Sequence, residues 1–282
     1  MDHATEGCPP PLPPPVNGVP ATALWALYHR SPLLADDPMA ERVLSRLEFP
    51  LESCFGRRTA MLSHYFAERA RLFDRAVSAF IERYPDATVV ALGEGLETQF
   101  WRVDNGRDRW LTVDLPEMVA LRGTLLPQGE RQTAVGCSVL DAEWLDRVDP
   151  GTPVLVVAQG LMMYLRPDEV TWLIGTCAER FPGGSLIFDT PPRWFTGLSR
   201  LRVLRCGRFR LPPMYFGMSP VGLRRLRAVR PRLSTVRYIP PEGMQGPFGR
   251  ALRHGHRTPL ARRTMPATVW ADFVDPGRHS VT

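Results

Sequence analysis

The stretch TVVALGEGLETQFWRVDNGRDRWLTVD, residues 88–114, decides the fold. It opens with the β-branched run TVVAL, continues through a loop containing Gly93 and Gly95, and closes with the run RWLTV and Asp114. Short apolar runs bounded by glycine turns are typical of buried strands, and a helical segment between two such runs indicates a βαβ unit. We therefore expect two parallel strands here.

The same alternation continues toward the C-terminus. Strands are predicted over RQTAV (131–135), TPVLVVA (152–158) and GSLIFD (184–189). The last two runs, STVRYI (234–239) and ATVWADF (267–273), lack a helical connection suited to a crossover and predict an antiparallel pair at one edge. The chain is thus assigned to the α/β class, with a doubly wound sheet of seven strands.

The N-terminal part is predicted to be helical. Apolar residues recur at helical spacing in 21–30, in 39–47 and in a longer helix over about 57–82. Arg69 interrupts the apolar stripe of the longest helix, so its guanidinium should point inward. An unpaired buried charge is very costly, so Arg69 requires either a nearby acid or an anionic ligand.

Composition predicts the domain boundaries. Residues 1–20 hold seven prolines and few apolar side chains, which predicts a disordered or polyproline-like tail. A helical cap over 21–84, a sheet domain over 85–275 and a short tail over 276–282 follow.

Ligands of doubly wound sheets bind at the carboxyl ends of the strands. Gly93 and Gly95, on either side of Glu94, allow a tight turn and the close approach of a ligand to the backbone. Thr98 stands where a dinucleotide fingerprint needs its third small residue, which disfavours NAD. Asp114 is placed to accept hydrogen bonds from ribose hydroxyls or to cap the following helix.

The next two strand ends carry further candidates. Ser138, Val139 and Asp141 could frame a base, although Asp141 could equally cap a helix. The fourth strand leads into AQGLMMYL, which is apolar except for Gln159 and Tyr164. Such a floor suits a ligand with a soft sulfur or an aromatic ring.

Composition excludes several classes of protein. The five cysteines are scattered without metal-ligand spacing, which predicts a reduced, cytoplasmic protein with no metal site. All 35 basic residues are arginine, which excludes lysine-dependent chemistry. No apolar run approaches the roughly 20 residues of a membrane span, and no signal peptide is recognisable. The net charge of +6 is concentrated in 200–263, where 16 arginines face the single acid Glu242.

Together these segments resemble the leucine carboxyl methyltransferase family of S-adenosylmethionine-dependent O-methyltransferases, most closely its bacterial branch that tailors aromatic polyketides. The resemblance covers about 21–274. It is carried by TALWALYHR, RARLFD, VVALGEGLETQFWRVDNG, WLTVDLPE, CSVLDAEW, AQGLMMYL and FGMSPVGLRRL. It implies a class I methyltransferase (Rossmann-like) sheet with an N-terminal helical cap and a lid inserted after the fifth strand, at about 190–219.

The resemblance also implies the cofactor, S-adenosylmethionine, and its ligands. Arg69 would hold the methionine carboxylate and Tyr164 would face the cofactor. The other implied binding residues are Gly93, Glu94 and Gly95 in the first loop, Asp114 and Leu115 after the second strand, Ser138, Val139 and Asp141 around the adenine, and Gln159 and Gly160 after the fourth strand. Relatives commonly carry glutamate in place of Gln159 and an acid in place of Ser138.

The expected reaction is O-methylation of a small aromatic substrate, with a carboxyl oxygen slightly favoured over a phenol. A phenol would benefit from a general base, and His29 and His64 lie in the predicted cap, where either could serve or could simply be a packing residue. Tyr164 is the third catalytic candidate.

The predicted lid is rich in large apolar residues, which suit either a polycyclic substrate or ordinary packing. They are Trp194, Phe195, Phe209, Met214, Tyr215 and Phe216. One alternative function is the binding of RNA or a carrier protein through 200–263, although the acidic remainder of the chain disfavours nucleic acid. Another alternative is that the protein is a non-catalytic or repurposed relative that binds the cofactor but transfers no methyl group. A homodimer is compatible with each.

Overall fold

Seven strands form one sheet in a computed structural model that describes residues 18–34, 37–47, 49–223, 226, 232–241, 254 and 258–275. The strands are β1 (Thr88–Leu92), β2 (Arg109–Asp114), β3 (Gln132–Gly136), β4 (Val154–Ala158), β5 (Ser185–Thr190), β8 (Leu233–Ile239) and β9 (Ala267–Phe273). A separate hairpin is formed by β6 (Arg205–Cys206) and β7 (Phe209–Arg210).

The strand order is β3-β2-β1-β4-β5-β9-β8. The first five strands are mutually parallel, and β9 runs antiparallel to both β5 and β8. The predicted doubly wound seven-stranded sheet, with its antiparallel pair at one edge, is therefore confirmed. The order reverses between β1 and β4, the point where such sheets bind their ligands.

The helices begin and end at clear boundaries. They are α1 (Pro20–Arg30), α2 (Pro38–Arg46), α3 (Leu51–Phe55), α4 (Ala60–Arg83), α5 (Gln99–Val103), α6 (Pro116–Leu125), α7 (Pro167–Arg180), α8 (Arg193–Arg200) and α9 (Pro259–Arg262). The first helix starts inside the predicted 1–20 tail. Residues 1–17 and 276–282, which include the rest of that tail and the predicted C-terminal tail, lie outside the described residues.

Helix α4 belongs to two layers. The Thr59 side chain caps its first turn by accepting from the Leu62 N–H group. Its C-terminal half buries Phe73, Val77 and Ile81 against the sheet. Its N-terminal half reaches the other helices, where Phe66 meets Trp25 edge-on with ring centroids 4.9 Å apart. Helix α4 therefore packs against both the sheet and the other helices of the cap, across the boundary predicted at residue 84.

The opposite face of the sheet is covered by α7 and by the segment around Trp144, both of which are buried against β1 and β4. Helices α1 to α3 form a third cluster with the hairpin that follows α8. Phe209 of the hairpin packs edge-on against Phe55 of α3 at 5.2 Å. The cap and the insertion after β5 thus bury each other beside the carboxyl ends of the strands.

Candidate active site

The loop after β1 makes the turn that its glycines predict. Gly93 and Gly95 have φ angles of 59° and 57°, in the left-handed region that other residues avoid. A Cβ atom on Gly93 would lie 2.8 Å from the Leu161 side chain, and one on Gly95 would lie 2.8 Å from Ala23 of α1. The cap therefore rests directly on this loop.

Asp114 ties the end of β2 to the same loop. One carboxylate oxygen accepts from the Gly95 N–H group at 2.6 Å and the other accepts from the Leu115 N–H group at 2.8 Å. Burial raises the pKa of Asp114, and the two backbone donors oppose that rise. The cap position of α6 is taken by Leu115, without any side-chain cap bond, so Asp114 is not the helix cap. Leu115 itself is 39% exposed beside the carboxylate.

Glu94 has a different environment from the glycines that flank it. Its carboxylate forms an ion pair with Arg122 at 3.0 Å and accepts from the Thr112 hydroxyl at 2.5 Å. Arg122, which the sequence did not single out, also donates to the carbonyl oxygens of Gly95 and Glu97. Glu94 therefore fixes the loop from the side of α6.

Arg69 points inward, as its position on the apolar stripe predicts. Its Nη1 atom lies 3.4 Å from Oδ2 of Asp189, the penultimate residue of β5. The other oxygen of Asp189 accepts from the Gly160 N–H group at 2.6 Å. Gly160 has a φ of 74°, and a Cβ there would lie 3.1 Å from Arg69 Nη1. The sequence predicts the need for a partner, but not that Asp189 would be the acid.

Two buried polar atoms near this pair have no hydrogen-bond partner among the described residues. They are Nε of Arg69 and Oε1 of Gln159. Buried polar groups in native proteins are nearly always paired, so two unpartnered atoms, one on α4 beside the end of β5 and one just after β4, indicate a place for a polar ligand. The residues present thus fit a ligand that carries both donors and acceptors.

A buried charge cluster lies on the other side of Gln159. The amide of Gln159 donates to Glu97 at 3.0 Å. Glu97 forms ion pairs with Arg30 of α1 at 3.0 Å and with Arg102 of α5 at 2.9 Å. Burial raises the pKa of Glu97, but the two guanidinium groups outweigh it and bring the pKa to about 2.

The same Arg102 reaches two further acids. It contacts Asp37 at 2.7 Å and Asp74 of α4 at 2.8 Å. We call Arg30, Asp37, Asp74, Glu97 and Arg102 the arginine–carboxylate cluster. It joins three helices to the glycine loop, so the cap is held over the strand ends by charge as well as by apolar packing.

Tyrosines surround the pair of Arg69 and Asp189. Burial raises the pKa of Tyr164 to about 12, although the nearby Thr22 side chain of α1 opposes that rise. Burial also raises the pKa of Tyr65 to about 12. A cavity of about 40 Å³ lies between Arg69, Asp189, Tyr65 and Tyr238, enough for one or two water molecules. All three hydroxyl groups act as neutral donors at pH 7, because burial raises the pKa of Tyr238 as well.

The two predicted histidines have different surroundings. His29 is fully buried beside the rings of Trp25, Tyr28 and Phe66, and its ring nitrogens have no partner among the described residues. Burial and the nearby charge of Arg58 lower its pKa to about 4. This lowered pKa makes the His29 imidazole a weak base at neutral pH. His64 is half-buried on α4.

The turn after β3 is held by its own side chains. Asp141 accepts from the Ser138 N–H group at 3.0 Å, and Ser138 accepts from the Leu140 N–H group at 3.2 Å. Val139 is 7% exposed and packs in the core with Trp144, whose indole donates to its carbonyl oxygen. Ser138 and Asp141 remain near the surface, and Asp141 caps this turn rather than a helix.

The large apolar residues of the predicted lid, after β5, divide between packed and exposed positions. Phe209 and Met214 are buried, and Phe195 is half-buried, against the cap. Trp194 is 53% exposed, with its indole donating to the Thr264 carbonyl oxygen, and Tyr215 is 47% exposed. Phe216 is half-buried against the core of the sheet, so ordinary packing accounts for four of the six large apolar residues of the predicted lid.

A basic surface runs along α8 and the hairpin. Residues 190–241 contain 12 arginines and no acid. Six exposed arginines in this stretch form no ion pair with a described carboxylate: Arg193, Arg200, Arg202, Arg205, Arg208 and Arg210. Leu198, Leu201 and Val203 are exposed beside them.

One group of side chains offers metal-ligating atoms. Such atoms of Cys137, Asp141 and Glu143 lie within 4.8 Å of one another. Burial and the adjacent acids raise the pKa of the Cys137 thiol, which disfavours the thiolate that a metal requires. Within the described part of the chain, no helix is both long and apolar enough for a membrane span.

Residues 19–178 match the model of one protein family, leucine carboxyl methyltransferase. The chain belongs to the leucine carboxyl methyltransferase family. It is 33% identical over 172 residues to the tetracenomycin polyketide synthesis O-methyltransferase TcmP of Streptomyces glaucescens, an alignment that spans 60% of this chain and 63% of that relative. It is 27% identical over 201 residues to the S-adenosyl-L-methionine-dependent methyltransferase dpfgK of Gibberella zeae, across 62% of this chain and 67% of dpfgK.

A solved structure supports the fold of this family member independently. A candidate methyltransferase from Thermobifida fusca YX superimposes with a TM-score of 0.57 at 16% identity, over 92% of this chain and 95% of that one. At that identity the likeness concerns the fold alone. The family and the Rossmann-like architecture implied by the sequence motifs are both confirmed.

Proposed function

We propose that this chain is an S-adenosylmethionine-dependent O-methyltransferase that acts on a small aromatic substrate of the polyketide type. The observation that carries the proposal is the set of groups at the switch point of the sheet. Buried polar atoms without a partner belong to Arg69, on α4 against the end of β5, and to Gln159, just after β4. The glycine turn and Asp114 lie at the ends of β1 and β2. Membership in the leucine carboxyl methyltransferase family and the likeness to TcmP support this reading.

The residues present divide between the two ends of the cofactor. Arg69 would bind the methionine carboxylate, because a guanidinium offers a planar fork of donors to a carboxylate. Asp114 would accept from the ribose hydroxyls, since each of its oxygens can accept a second hydrogen bond. Leu115, Ser138 and Asp141 would line the adenine. The Glu94 carboxylate is engaged by Arg122, so Glu94 would contribute only through its backbone.

The cofactor supplies a methyl group on a positively charged sulfur. With the cofactor bound, the part left to the protein would be to align an acceptor oxygen with that methyl group and to exclude water. Tyr65 and Tyr164, both protonated at pH 7, are suited to orient an acceptor oxygen by donating to it. Neither is suited to remove a proton.

The carboxyl oxygen is the favoured acceptor. A carboxylate is already ionised at pH 7 and needs no base, whereas a phenol must lose a proton. The buried His29 is a weak base, because its pKa is lowered to about 4. A phenol would therefore depend on His64, the other histidine that the sequence places in the cap.

The product mass tests this function. The protein is incubated with methyl-labelled S-adenosylmethionine and a panel of aromatic polyketide acids, their methyl esters and matched phenols. Label in the acids but not in the esters supports carboxyl methylation, and label in a phenol supports the hydroxyl alternative. Transfer to neither, with tight binding of the cofactor, would instead favour the repurposed, non-methylating relative.

A second candidate function rests on the basic surface of α8 and the hairpin. Six exposed arginines without described ion-pair partners, next to exposed leucine and valine side chains, would suit an acidic macromolecule. An acidic carrier protein fits this mixture of charge and apolar area better than RNA does. Binding of RNA would need only the arginine side chains and would leave the exposed leucine and valine side chains without a role.

A further inference from the structure

Helix α8 is polar on the side that it buries and apolar on the side that it exposes. Thr196 and Ser199 are buried, whereas Trp194 and Leu198 are exposed. Leu201, the residue after the helix, is 70% exposed. The three apolar residues stand at positions i, i+4 and i+7, so they share one face. Folding normally buries large apolar side chains, and α8 does the reverse.

The inner side of α8 is packed too closely for large side chains. The Ser199 hydroxyl donates to the Thr196 carbonyl oxygen at 2.8 Å and accepts from the Met214 N–H group at 2.9 Å. A Cβ atom on Gly217 would lie 2.7 Å from the Thr196 side chain, so the backbone of that segment lies directly against the helix. This packing explains the small inner residues but gives no reason for large apolar residues on the outside.

The turn after α8 extends the exposed apolar face. Arg202 has a φ of 56°, the one positive φ of a non-glycine residue in the described part of the chain. Such a backbone conformation is unfavourable for a residue with a Cβ atom and is often found at functional sites. Leu201 and Val203, on either side of Arg202, are both exposed. The turn therefore presents two apolar side chains with a charge between them.

The charge around this face indicates the charge of its partner. The six exposed arginines of the basic surface lie in the same segment, 193–210. The sequence from 190 to 241 contains no acid, and 242–263 adds only Glu242. A two-fold contact between copies brings the same patch of each copy together, so it would set arginine against arginine. Charge complementarity thus favours an acidic partner over a second copy of this chain.

Two observations favour a protein over a lipid surface as that partner. Insertion of Leu201 and Val203 into membrane hydrocarbon would carry the guanidinium of Arg202 toward it, which is costly. The indole N–H group of Trp194 is donated to the Thr264 carbonyl oxygen, so it is not free for lipid headgroups. An apolar centre with charged residues around it, rich in arginine and tryptophan, is typical of protein interfaces.

We propose that α8, the turn at 201–203 and the hairpin of β6 and β7 form a docking surface for an acidic carrier protein. Carboxylates of the carrier would pair with the arginines, and its apolar side chains would cover Leu198, Leu201 and Val203. Helix α8 begins four residues after Asp189, so the docked carrier would lie beside the candidate active site. The proposal rests on the proposed function only for the cargo, a small aromatic acceptor.

Calorimetry tests the surface, with a purified carrier protein of an aromatic polyketide synthase, including its phosphopantetheine arm, as the probe. The wild-type protein should bind it with an affinity that falls as salt rises, because exposed ion pairs are screened. The double variant Arg200→Glu with Arg205→Glu should bind at least tenfold more weakly. Leu201→Ser should also weaken binding but should leave its salt dependence unchanged. Arg147→Glu alters an exposed arginine outside this surface and should bind as the wild type does.

Several results would overturn the docking surface. One is the absence of binding to the carrier protein, and another is binding that neither the double variant nor Leu201→Ser weakens. Binding of RNA or of phosphatidylglycerol vesicles at least as tight as that of the carrier, and lost in the same variants, would assign the surface to those partners instead. A dimer of the free protein that Leu201→Ser dissociates would assign it to a second copy.

Methyl transfer to free aromatic acids and phenols is measured separately. The docking variants should methylate these small acceptors at the wild-type rate, because the altered residues lie outside the candidate active site. Carrier binding as expected, without methylation of any acceptor, would reject the proposed function alone. Methylation of free acceptors without carrier binding would reject the docking surface alone.

Discussion

Arg69 of α4 and Asp189 of β5 are 120 positions apart in the sequence and 3.4 Å apart in the fold. The pair spans the layer between the long helix and the sheet, at the edge where the glycine loop and Asp114 also lie. Its two members are 14% and 6% exposed, so each depends on the other for compensation of its charge.

Arg69→Met should destabilise the protein. The apolar stripe of α4 taken alone predicts that this substitution preserves the fold, but it leaves Asp189 buried without its counter-charge. Breaking one half of a buried pair costs about 3 kcal/mol. Urea unfolding should show that loss, and the double variant Arg69→Met with Asp189→Asn should recover most of it. A single variant as stable as the wild type would contradict the structural role of the pair.

Asp114→Ala should weaken the binding of S-adenosylhomocysteine more than tenfold and also lower stability. The N–H groups of Gly95 and Leu115 lose their acceptor, and each unsatisfied buried donor costs about 1–3 kcal/mol. Asp114→Asn keeps an acceptor and should retain more stability while still losing affinity. Calorimetry and thermal melting separate the two effects, and unchanged affinity in both variants would remove Asp114 from the site.

Gln159→Glu should make stability depend on pH. The new carboxylate would face Glu97, at the position from which the amide now donates over 3.0 Å. Burial and repulsion from Glu97 should raise the folded-state pKa of the new carboxylate above its value in the unfolded chain, so the folded variant binds that proton more tightly and its stability falls as pH rises. The melting temperature should drop further below that of the wild type at pH 8 than at pH 5. A constant difference would argue against contact between the two groups.

His29 should make the protein acid-sensitive. Its pKa is about 4 in the folded state and about 6.5 in the unfolded chain, so the unfolded chain binds more protons between these values and stability falls as pH drops below 6.5. The wild type should lose roughly 1–2 kcal/mol more than His29→Gln between pH 7 and pH 5.

The pH dependence of the rate distinguishes the acceptor oxygen. With a carboxylate acceptor the rate should be nearly flat above about pH 6, where ionisation is complete. With a phenol acceptor the rate should rise with pH across this range, because the phenol must lose a proton, and any part played by His64 as the base should be lost in His64→Gln. Rates from pH 5.5 to 9 for the wild type and both histidine variants would show which applies.

Much of the fold follows from local patterns. Each sheet strand is signalled by its own β-branched run, and each lies within two residues of its predicted position. The hairpin of β6 and β7 was missed, because two-residue strands carry no periodic signal. The glycine turn and Asp114 were recognisable because a strand end is itself a local feature.

The sequence by itself determined the sheet, the family, the inward direction of Arg69 and the strand ends where a ligand would lie. Only the tertiary structure decided that Asp189 is the partner of Arg69. It also placed Glu97 and Arg102 in one charge cluster and paired Arg122 with Glu94. It also decided that His29 lies among aromatic rings. Strands and turns depend on residues close together in the chain, whereas pairing and desolvation depend on side chains that are distant in sequence and meet only when the layers pack.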